Sequence, residues 1–475
     1  MTPVATLDAA MLIAETAEMP LHNLGVLRFE PPPEPAQSAF ESMRAMIGAR
    51  LHRVPAFRHK LVQGPLRLGD LQWVEDAEVD LGRHLFRTRL PSPGGEAELR
   101  AFVGDYAARL LPRDKPLWEV ALVEGLASGE LVAVAKIHHA TMDGSKLAAL
   151  LGDLFDHSPS ETALPPAPQV QHGSRDPGVV RLALTGARSL AAKPGRVTHA
   201  AVDVASALMR RRGAASGSGM PSDVASFRVP PTPWGGALSR QRVVALAHVS
   251  LNDVRAIGAA FDATVNDVVL AAAASTLRRW LVARGTLPSS ALIANVPVAL
   301  RDESGDHAGN HVSMLRVHLP MDELDPVGRL RRIQAETSRG KRKHRKTGPN
   351  PYLRLADLVL ALTVPRALSA AVAFYARHRV ADLHPALWNV VISNVPGPRA
   401  PLYCHGARLA CIYPLGPVQH GSGLNLTVMS TGEQLGLGVL ACGERVSHVD
   451  DIALGFVDEV ASLLAAARRT NAPTG

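Results

Sequence analysis

The chain has 475 residues, of which 47% are hydrophobic, 20% are charged and only 4% are aromatic. This globular composition excludes a chain that lacks a buried core, and the length exceeds what one core normally organises, so two domains are expected. The formal charge of +8 indicates an anionic partner, such as nucleic acid, a phosphorylated cofactor or an acidic membrane surface.

The sequence also has no pattern typical of a secreted, membrane-spanning, disulfide-rich or metal-binding protein. The N-terminal segment contains Asp8, Glu15 and Glu18 and has no basic region before its apolar stretch, unlike a signal peptide. No apolar run reaches the roughly 20 residues of a membrane-spanning helix. Three cysteines indicate a reducing compartment rather than a disulfide framework, and no CxxC or HExxH pattern indicates a metal site.

Residues 1–156 alternate between strand-like and helix-like segments. Three segments have the apolar pattern of strands, and three have the helical spacing of apolar residues. The predicted strands are Leu24–Phe29, Trp118–Val123 and Leu131–His138, and the predicted helices are Ser38–Leu51, Glu96–Leu111 and Ser145–Phe155. This pattern predicts a first α/β domain over residues 1–156.

Residues 157–240 are rich in Pro, Gly, Ser and Ala, which is typical of a crossover linker. Two segments within it, Val179–Leu190 and Val197–Arg212, could form amphipathic helices. The second segment ends in three consecutive arginines. It could therefore lie on anionic lipid, or it could pack against a domain.

The alternation resumes in residues 241–475, which we predict to be a second domain. Strands are predicted at Arg242–Val249, Leu292–Val298 and His311–Leu319, and near 388–395, 408–415, 424–430 and 435–441. Helices are predicted at Val265–Ala283 and near 326–345, 353–376 and 450–469. The two parts of the chain have similar α/β texture, which predicts two related domains.

The most informative segment is KIHHATMDG at residues 136–144, which has the pattern HHxxxDG. A predicted strand precedes it and a predicted helix follows it. Because successive strand side chains point to opposite faces, only one of His138 and His139 can readily face a given cleft. A neutral imidazole can take a proton from an alcohol near neutral pH. Asp143 could fix the turn or neutralise a cation, and Gly144 permits a tight start to the helix.

Other segments accompany the histidine motif in a consistent order. They are Leu7-Asp8-Ala9, Pro20-Leu21-His22, Pro116-Leu117-Trp118 (PLW), Asn266-Asp267 (ND), VPVALR at 296–301, Gly309-Asn310, SNVPGP at 393–398, Tyr413-Pro414 and Gly423-Leu424-Asn425. Over nearly its whole length, the chain thus resembles the bacterial wax ester synthase/acyl-CoA:diacylglycerol acyltransferase family of the chloramphenicol acetyltransferase-like superfamily. The resemblance implies an α/β (α+β) fold. It would have two chloramphenicol acetyltransferase-like domains, each a mixed sheet with flanking helices, joined by a long crossover linker.

The resemblance also implies roles for the motif residues. His139 would be the general base that takes the proton from a hydroxyl of diacylglycerol or a fatty alcohol. The alcohol would then attack the acyl-CoA thioester directly, and no GxSxG elbow supplies a serine nucleophile. His138 would support the turn, and Asp143 would shape the site through a salt bridge, for which Arg301 is the candidate partner.

Three further residues are candidate substrate contacts. Asn266 could donate to the oxyanion, with helix packing or capping as the alternative. Asp267 belongs to the same ND motif. Trp118 could contact lipid, and packing near the site is its alternative.

The implied co-substrate is acyl-CoA, with no permanently bound cofactor and no metal. Because the acceptor is insoluble in water, we expect a cytoplasmic protein, peripheral on the inner face of the membrane or on lipid droplets. The basic run RGKRKHRK at 339–346 could attract CoA phosphates or anionic headgroups, or it could be a solvated face.

Two competing patterns are rejected, and two other functions stay open. GLGVLA at 436–441 fits a loose dinucleotide-binding pattern, but its apolar pattern is that of a strand interior. No nucleic-acid module accompanies the basic charge, so nucleic acid is not an expected partner. The open alternatives are a related CoA- or carrier-dependent acyltransferase or condensation-type enzyme with a polar acceptor, and a catalytically silent lipid-surface protein.

Overall fold

The computed structural model describes residues 1–32, 36–64, 70–76, 78–142, 147–160, 229–299, 312–347 and 365–470, with isolated positions between 178 and 188. Asp143, Gly144, Arg301, Gly309 and Asn310 lie outside the described residues. The same holds for the two predicted linker helices, apart from isolated positions in the first of them.

The described residues form fifteen strands and nine α-helices, together with short turns of 3₁₀-helix. The strands are β1 (Thr2–Pro3), β2 (His22–Phe29), β3 (His59–Val62), β4 (Gln72–Glu75), β5 (Leu85–Arg89), β6 (Trp118–Glu124), β7 (Leu131–His138), β8 (Arg242–Ser250), β9 (Leu292–Ala299), β10 (Val312–Leu319), β11 (Val390–Val395), β12 (Tyr403–Cys404), β13 (Ala407–Leu415), β14 (Leu424–Thr431) and β15 (Gln434–Cys442). The helices are α1 (Thr6–Ala14), α2 (Ala36–Arg50), α3 (Glu96–Ala108), α4 (Leu147–Leu154), α5 (Leu251–Phe261), α6 (Val265–Ala283), α7 (Pro326–Thr347), α8 (Pro365–Arg377) and α9 (Asp450–Thr470).

Two six-stranded sheets organise these elements. The first sheet has the order β12-β13-β2-β7-β6-β5, and the second has the order β10-β9-β11-β14-β15-β8. Each sheet combines parallel and antiparallel neighbours, since β5 is parallel to β6 and β11 is parallel to both β9 and β14. A small third sheet has the order β1-β4-β3. The predicted mixed sheets with flanking helices are therefore confirmed.

The strands predicted from the sequence are confirmed, and their ends differ by a few residues from the predicted ends. GLGVLA lies inside β15, as its apolar pattern predicts, and so does not form a strand-to-helix turn. Helix α1, helix α5, strand β5 and the small sheet were not predicted from the sequence. Strand β5 and the strands of the small sheet have only two to five residues each.

Strand β13 belongs to the first sheet, although β11 before it and β14 after it in the sequence belong to the second. This strand comes from the last quarter of the chain, yet it pairs with β2 in the first sheet, from Leu409 opposite Phe29 to Leu415 opposite Leu24. Trp234, which lies within the predicted linker, is fully buried in the core of the second sheet. The division of the chain at residue 241 stays a prediction, and β13 and Trp234 pack outside the parts of the chain to which it assigns them.

The helices cover the sheets so that apolar side chains are buried on both faces. Helices α2 and α4 pack on one face of the first sheet, while α3 packs between its other face and β8 of the second sheet. Helices α6, α7 and α9 cover the second sheet, and the middle of α6 is buried throughout.

No single described helix has both the length and the apolar character required to span a membrane. Helices α5 and α6 meet that requirement only when they are taken as a pair, and they are bent by 100° at the break between them.

Candidate active site

The histidine pair lies at the end of β7, where the chain leaves the first sheet. The backbone nitrogen of His138 donates to the carbonyl oxygen of Leu117 at 3.0 Å, and that of His139 donates to the carbonyl oxygen of Leu21 at 2.9 Å. The nitrogen of Thr141 donates to the carbonyl oxygen of His138 at 2.9 Å and closes the turn. Chain segments on both sides of β7 thus hold the turn in place.

The side chain of His138 is buried, and both of its ring nitrogens have neighbours. The backbone nitrogen of Ala140 donates to Nδ1 at 3.0 Å, so Nδ1 acts as an acceptor. A neutral ring with an accepting Nδ1 carries its proton on Nε2. Nε2 lies 3.4 Å from Oε1 of Glu15. These contacts suit a residue that supports the turn rather than one that exchanges protons with a substrate.

The side chain of His139 is only partly buried, in contrast to the 1% exposure of His138. The two residues are adjacent at the end of a strand, so their side chains point to opposite sides of it. His139 is therefore the more exposed histidine of the pair.

A buried carboxylate, Glu15, connects the end of α1 to this turn. Its side chain is 2% exposed, and its Oε1 accepts from the backbone nitrogen of Leu21 at 3.1 Å. The same oxygen lies 2.9 Å from Nε2 of His22, whose residue pairs with His138 across β2 and β7. The other oxygen, Oε2, accepts from Nη2 of Arg113 at 3.0 Å.

The charge states of this cluster follow from its burial and contacts. Burial alone would raise the pKa of the Glu15 carboxyl, but the contacts with His138 and His22 outweigh burial and hold that pKa far below its ordinary value. Burial lowers the pKa of the His22 imidazole, against the opposing effect of Glu15. At neutral pH an ionised carboxylate therefore faces a neutral His22.

Sequence reasoning did not assign a role to Glu15 or His22. The one available signal for Glu15 is a single acidic residue that ends an apolar stretch, AAMLIA, at residues 9–14. An acidic residue at that position is equally compatible with an exposed helix end. Only the packing of α1 against Leu117 and Ala140 shows that Glu15 is buried at the site.

Trp118 is completely buried at the start of β6, next to the histidine turn. Its indole stacks on Phe57 and His84, with ring centroids 4.6 Å and 4.1 Å away, and Nε1 donates to the Phe57 carbonyl oxygen at 2.9 Å. The structure thus favours packing near the site as the role of Trp118.

The ND motif lies at the first turn of α6, in the second sheet's core. Asp267 is buried, and it forms a capping box with Thr264. Its Oδ1 also accepts from the hydroxyl of Thr337 at 2.7 Å. Asn266 is partly buried, one residue earlier. Asp267 therefore has structural contacts, while Asn266 keeps partial access to solvent.

The basic run lies at the end of α7. Arg339 pairs with Glu336 at 2.9 Å, and Lys341 and Arg342 are exposed. Because the helix continues to Thr347, the predicted helix near 326–345 is confirmed.

A cavity of about 950 Å³ lies beside the Glu15 cluster. It is bounded by α1 and α8, and its lining includes Glu15, Arg113, Leu111 and Ala376. His139 is not part of the lining. The cavity therefore reaches Glu15, the buried carboxylate next to the histidine turn, from the side of Arg113.

Comparisons with known proteins identify the family of the chain. The model of the wax ester synthase/diacylglycerol acyltransferase catalytic domain matches residues 4–269, and that of the family's C-terminal domain matches residues 308–463. A Mycobacterium tuberculosis protein named as a diacylglycerol O-acyltransferase is 33% identical over 98% of this chain and 90% of its own length. A second protein of that organism with this name is 32% identical over 99% of this chain and 97% of its own length.

Solved structures show the same relationship. The wax ester synthase/diacylglycerol acyltransferase from Marinobacter aquaeolei superposes with a TM-score of 0.68 at 26% identity, covering 98% of this chain and all of that one. The starter condensation domain of rhizomide synthetase has a TM-score of 0.53 at 14% identity over 98% of this chain and 95% of its own, which shows the fold alone. The predicted fold of two chloramphenicol acetyltransferase-like domains is thereby confirmed. The chain belongs to the wax ester synthase/diacylglycerol acyltransferase family and is an acyltransferase.

Proposed function

We propose that this acyltransferase moves a long-chain fatty acyl group from acyl-CoA to diacylglycerol, to a long-chain alcohol, or to both. The products are triacylglycerol and wax ester. The observation that carries the proposal is the contrast within the histidine pair. His139 is partly exposed at a turn fixed by three backbone hydrogen bonds, while His138 beside it is buried, with Nδ1 accepting from Ala140 and Nε2 3.4 Å from Glu15.

In the proposed reaction, His139 takes the proton from the acceptor hydroxyl as its oxygen attacks the thioester carbonyl carbon. A carbon–oxygen bond forms, and the carbon–sulfur bond to CoA breaks when the tetrahedral intermediate collapses. The proton then passes from the imidazole to the CoA thiolate, which leaves as the thiol. No covalent enzyme intermediate is needed.

Other residues have proposed roles in the same site. Asp143, Gly144 and Arg301 lie outside the described residues. From the family resemblance we propose that a salt bridge between Asp143 and Arg301 shapes the site and that Gly144 permits a tight start of the following helix. Asn266, which is partly exposed, is proposed as the oxyanion donor, and one such donor can lower the barrier by on the order of 3 kcal/mol. The buried contacts of Asp267 and Trp118 support an indirect role in substrate binding, through α6 and β6.

The names of the relatives support diacylglycerol and a long-chain alcohol as the acceptors. The two Mycobacterium proteins are named as diacylglycerol acyltransferases, and the Marinobacter protein is named as both a wax ester synthase and a diacylglycerol acyltransferase. We propose a cytoplasmic, peripheral location on the inner membrane face or on lipid droplets. Three large apolar side chains in the segment 374–387 support lipid contact: Phe374, Leu383 and Leu387 are 60%, 82% and 53% exposed. Arg377 is exposed in the same segment and could meet anionic headgroups.

The basic run at the end of α7, in which Lys341 and Arg342 are exposed, is proposed to attract either the CoA phosphates or anionic headgroups. Replacement of Lys341, Arg342 and Lys343 by Gln distinguishes the two. A higher KM for acyl-CoA indicates the phosphates, and weaker co-sedimentation with anionic liposomes indicates the membrane. If neither quantity changes, both roles fail.

The test of the whole proposal is a comparison of acceptors. Purified protein is incubated with long-chain acyl-CoA and, in parallel, with diacylglycerol, a long-chain alcohol or a polar alcohol. CoA release and the lipid product are followed together. Triacylglycerol or wax ester is expected from the lipid acceptors. Release with the polar alcohol alone would favour an enzyme with a polar acceptor. No release with any acceptor, together with co-sedimentation with liposomes in a parallel assay, would favour a catalytically silent lipid-surface protein.

A further inference from the structure

We propose that Glu15 is a positioning residue for acyl transfer, acting through His138 and Leu21 on the turn that carries His139. This inference rests on the proposed function of His139. Its basis is the position of one buried carboxylate among three chain segments: the end of α1, the start of β2 and the end of β7.

The contacts of Glu15 reach the backbone of His139 by two short routes. In the first, Glu15 accepts from the nitrogen of Leu21, whose own carbonyl oxygen accepts from the nitrogen of His139. In the second, Glu15 faces Nε2 of His138, whose Nδ1 accepts from the nitrogen of Ala140. The residues immediately before and after His139 are thus both connected to the carboxylate. A shift of the carboxylate would move the turn.

The chemistry of the second route requires an acceptor at position 15. A carboxylate offers no proton, so it fixes the proton of His138 on Nε2 and leaves Nδ1 free to accept from Ala140. An amide in its place could present an N–H group to Nε2. The ring proton would then move to Nδ1, where it would face the N–H of Ala140, and the hydrogen bond that holds the turn would be lost.

The contacts of Glu15 with the two histidines are buried, unlike those of an ordinary surface ion pair. Glu15 is 2% exposed, and the two imidazoles that it contacts are 1% exposed. Arg113, which is 43% exposed, binds the other carboxylate oxygen and also donates to the carbonyl oxygen of Leu12 at 2.5 Å. One oxygen of the Glu15 carboxylate therefore binds the partly exposed Arg113, while the other faces the buried histidine turn.

The test is the variant Glu15→Gln, which keeps the size of the side chain. We expect kcat to fall by about 10- to 100-fold, because a displacement of the base by about 1 Å is enough for such a loss, while KM for both substrates changes less than about twofold. Glu459→Gln is the matched control. Glu459 of α9 is also buried and pairs with an arginine, Arg329 of α7, but these helices cover the second sheet. It should lower the melting temperature without lowering kcat.

Loss of thermal stability in Glu15→Gln with an unchanged kcat would overturn the inference and leave Glu15 a purely structural residue. If Glu15→Gln does not fold, Glu15→Asp replaces it, since it keeps the charge and shortens the reach by one methylene. The same fall in kcat is expected, and an unchanged kcat overturns the inference. The two proposals fail differently. A wild-type protein that releases no CoA with any lipid acceptor contradicts the function, whereas an active wild type with a fully active Glu15 variant contradicts only the positioning role.

Discussion

Gly438 of β15 lies directly against the carbonyl oxygen of Pro414 in β13, so close that a Cβ atom on the glycine would be 2.0 Å from that oxygen. Two residues earlier, a Cβ atom on Gly436 would be 2.1 Å from the carbonyl oxygen of Ile412. Packed sheets are normally about 10 Å apart because side chains separate them. The two glycines remove the side chains and let the backbones of the two sheets meet.

This contact predicts a large effect of Gly438→Ala on stability. The added methyl group must displace backbone, which typically costs about 1–3 kcal/mol of the free energy of unfolding, and this is measured by urea denaturation. Gly152→Ala is the control, because its Cβ atom in α4 would meet only the His157 ring at 3.9 Å, and it should be neutral or stabilising. If Gly438→Ala and Gly152→Ala changed the free energy of unfolding equally, the close approach of β15 to β13 would be contradicted.

A second prediction concerns the buried pair of Arg329 and Glu459. Nη1 of the arginine donates to Oε1 of Glu459 at 2.6 Å, and the hydroxyl of Ser275 donates to Oε2 at 2.8 Å. Glu459→Ala leaves a buried arginine without its partner, so we expect a loss of about 3–5 kcal/mol in the free energy of unfolding. Replacement of both residues by leucine should cost less than the single change. A larger loss in the double variant would contradict this account.

The buried amine of Lys136 predicts a pH dependence of stability. Burial lowers its pKa to about 8, against the opposing effect of Glu119, while the unfolded chain keeps the ordinary value of 10.5. Above pH 8 the folded state has released a proton that the unfolded state still binds, so the residue's contribution to stability rises with pH. Relative to Lys136→Met, the wild-type free energy of unfolding should rise by about 2 kcal/mol from about pH 7 to about pH 9.5. A constant difference would mean that Lys136 keeps an ordinary pKa.

The contacts of Asp267 predict an energetic coupling with Thr337. Thr337→Val should cost about 1 kcal/mol and Asp267→Ala about 2 kcal/mol of the free energy of unfolding, since the second change also removes a helix cap. In a double-mutant cycle the two changes should be coupled by about 1 kcal/mol. Additive effects would indicate that the hydrogen bond between them contributes nothing.

The sequence predicts the parts of the fold that depend on local pattern. The apolar runs of β7 and β15 and the spacing in α6 and α9 are strong, and the structure confirms them. It does not predict where β13 pairs. Its apolar pattern suits any sheet, and its place beside β2 depends on contacts between segments almost 400 residues apart.

The site shows the same division. The HHxxxDG pattern locates the turn because strand, turn and helix signals agree there. The role of Glu15 is invisible in the sequence, since an acidic residue at the end of a helix is usually exposed. Its burial comes from α1 packing onto residues near positions 117 and 140. Such contacts between distant segments have no local signature.

The central claim is that the His139 imidazole is the base, and the rate of CoA release by His139→Ala tests it most directly. With saturating acyl-CoA and diacylglycerol or a fatty alcohol, kcat should fall by about 10²–10⁴-fold, the usual contribution of a general base. The melting temperature should stay near the wild-type value, and His318→Ala, on β10 at the edge of the second sheet, should keep full activity. A folded His139→Ala variant that retains kcat within about threefold of the wild type would contradict the account.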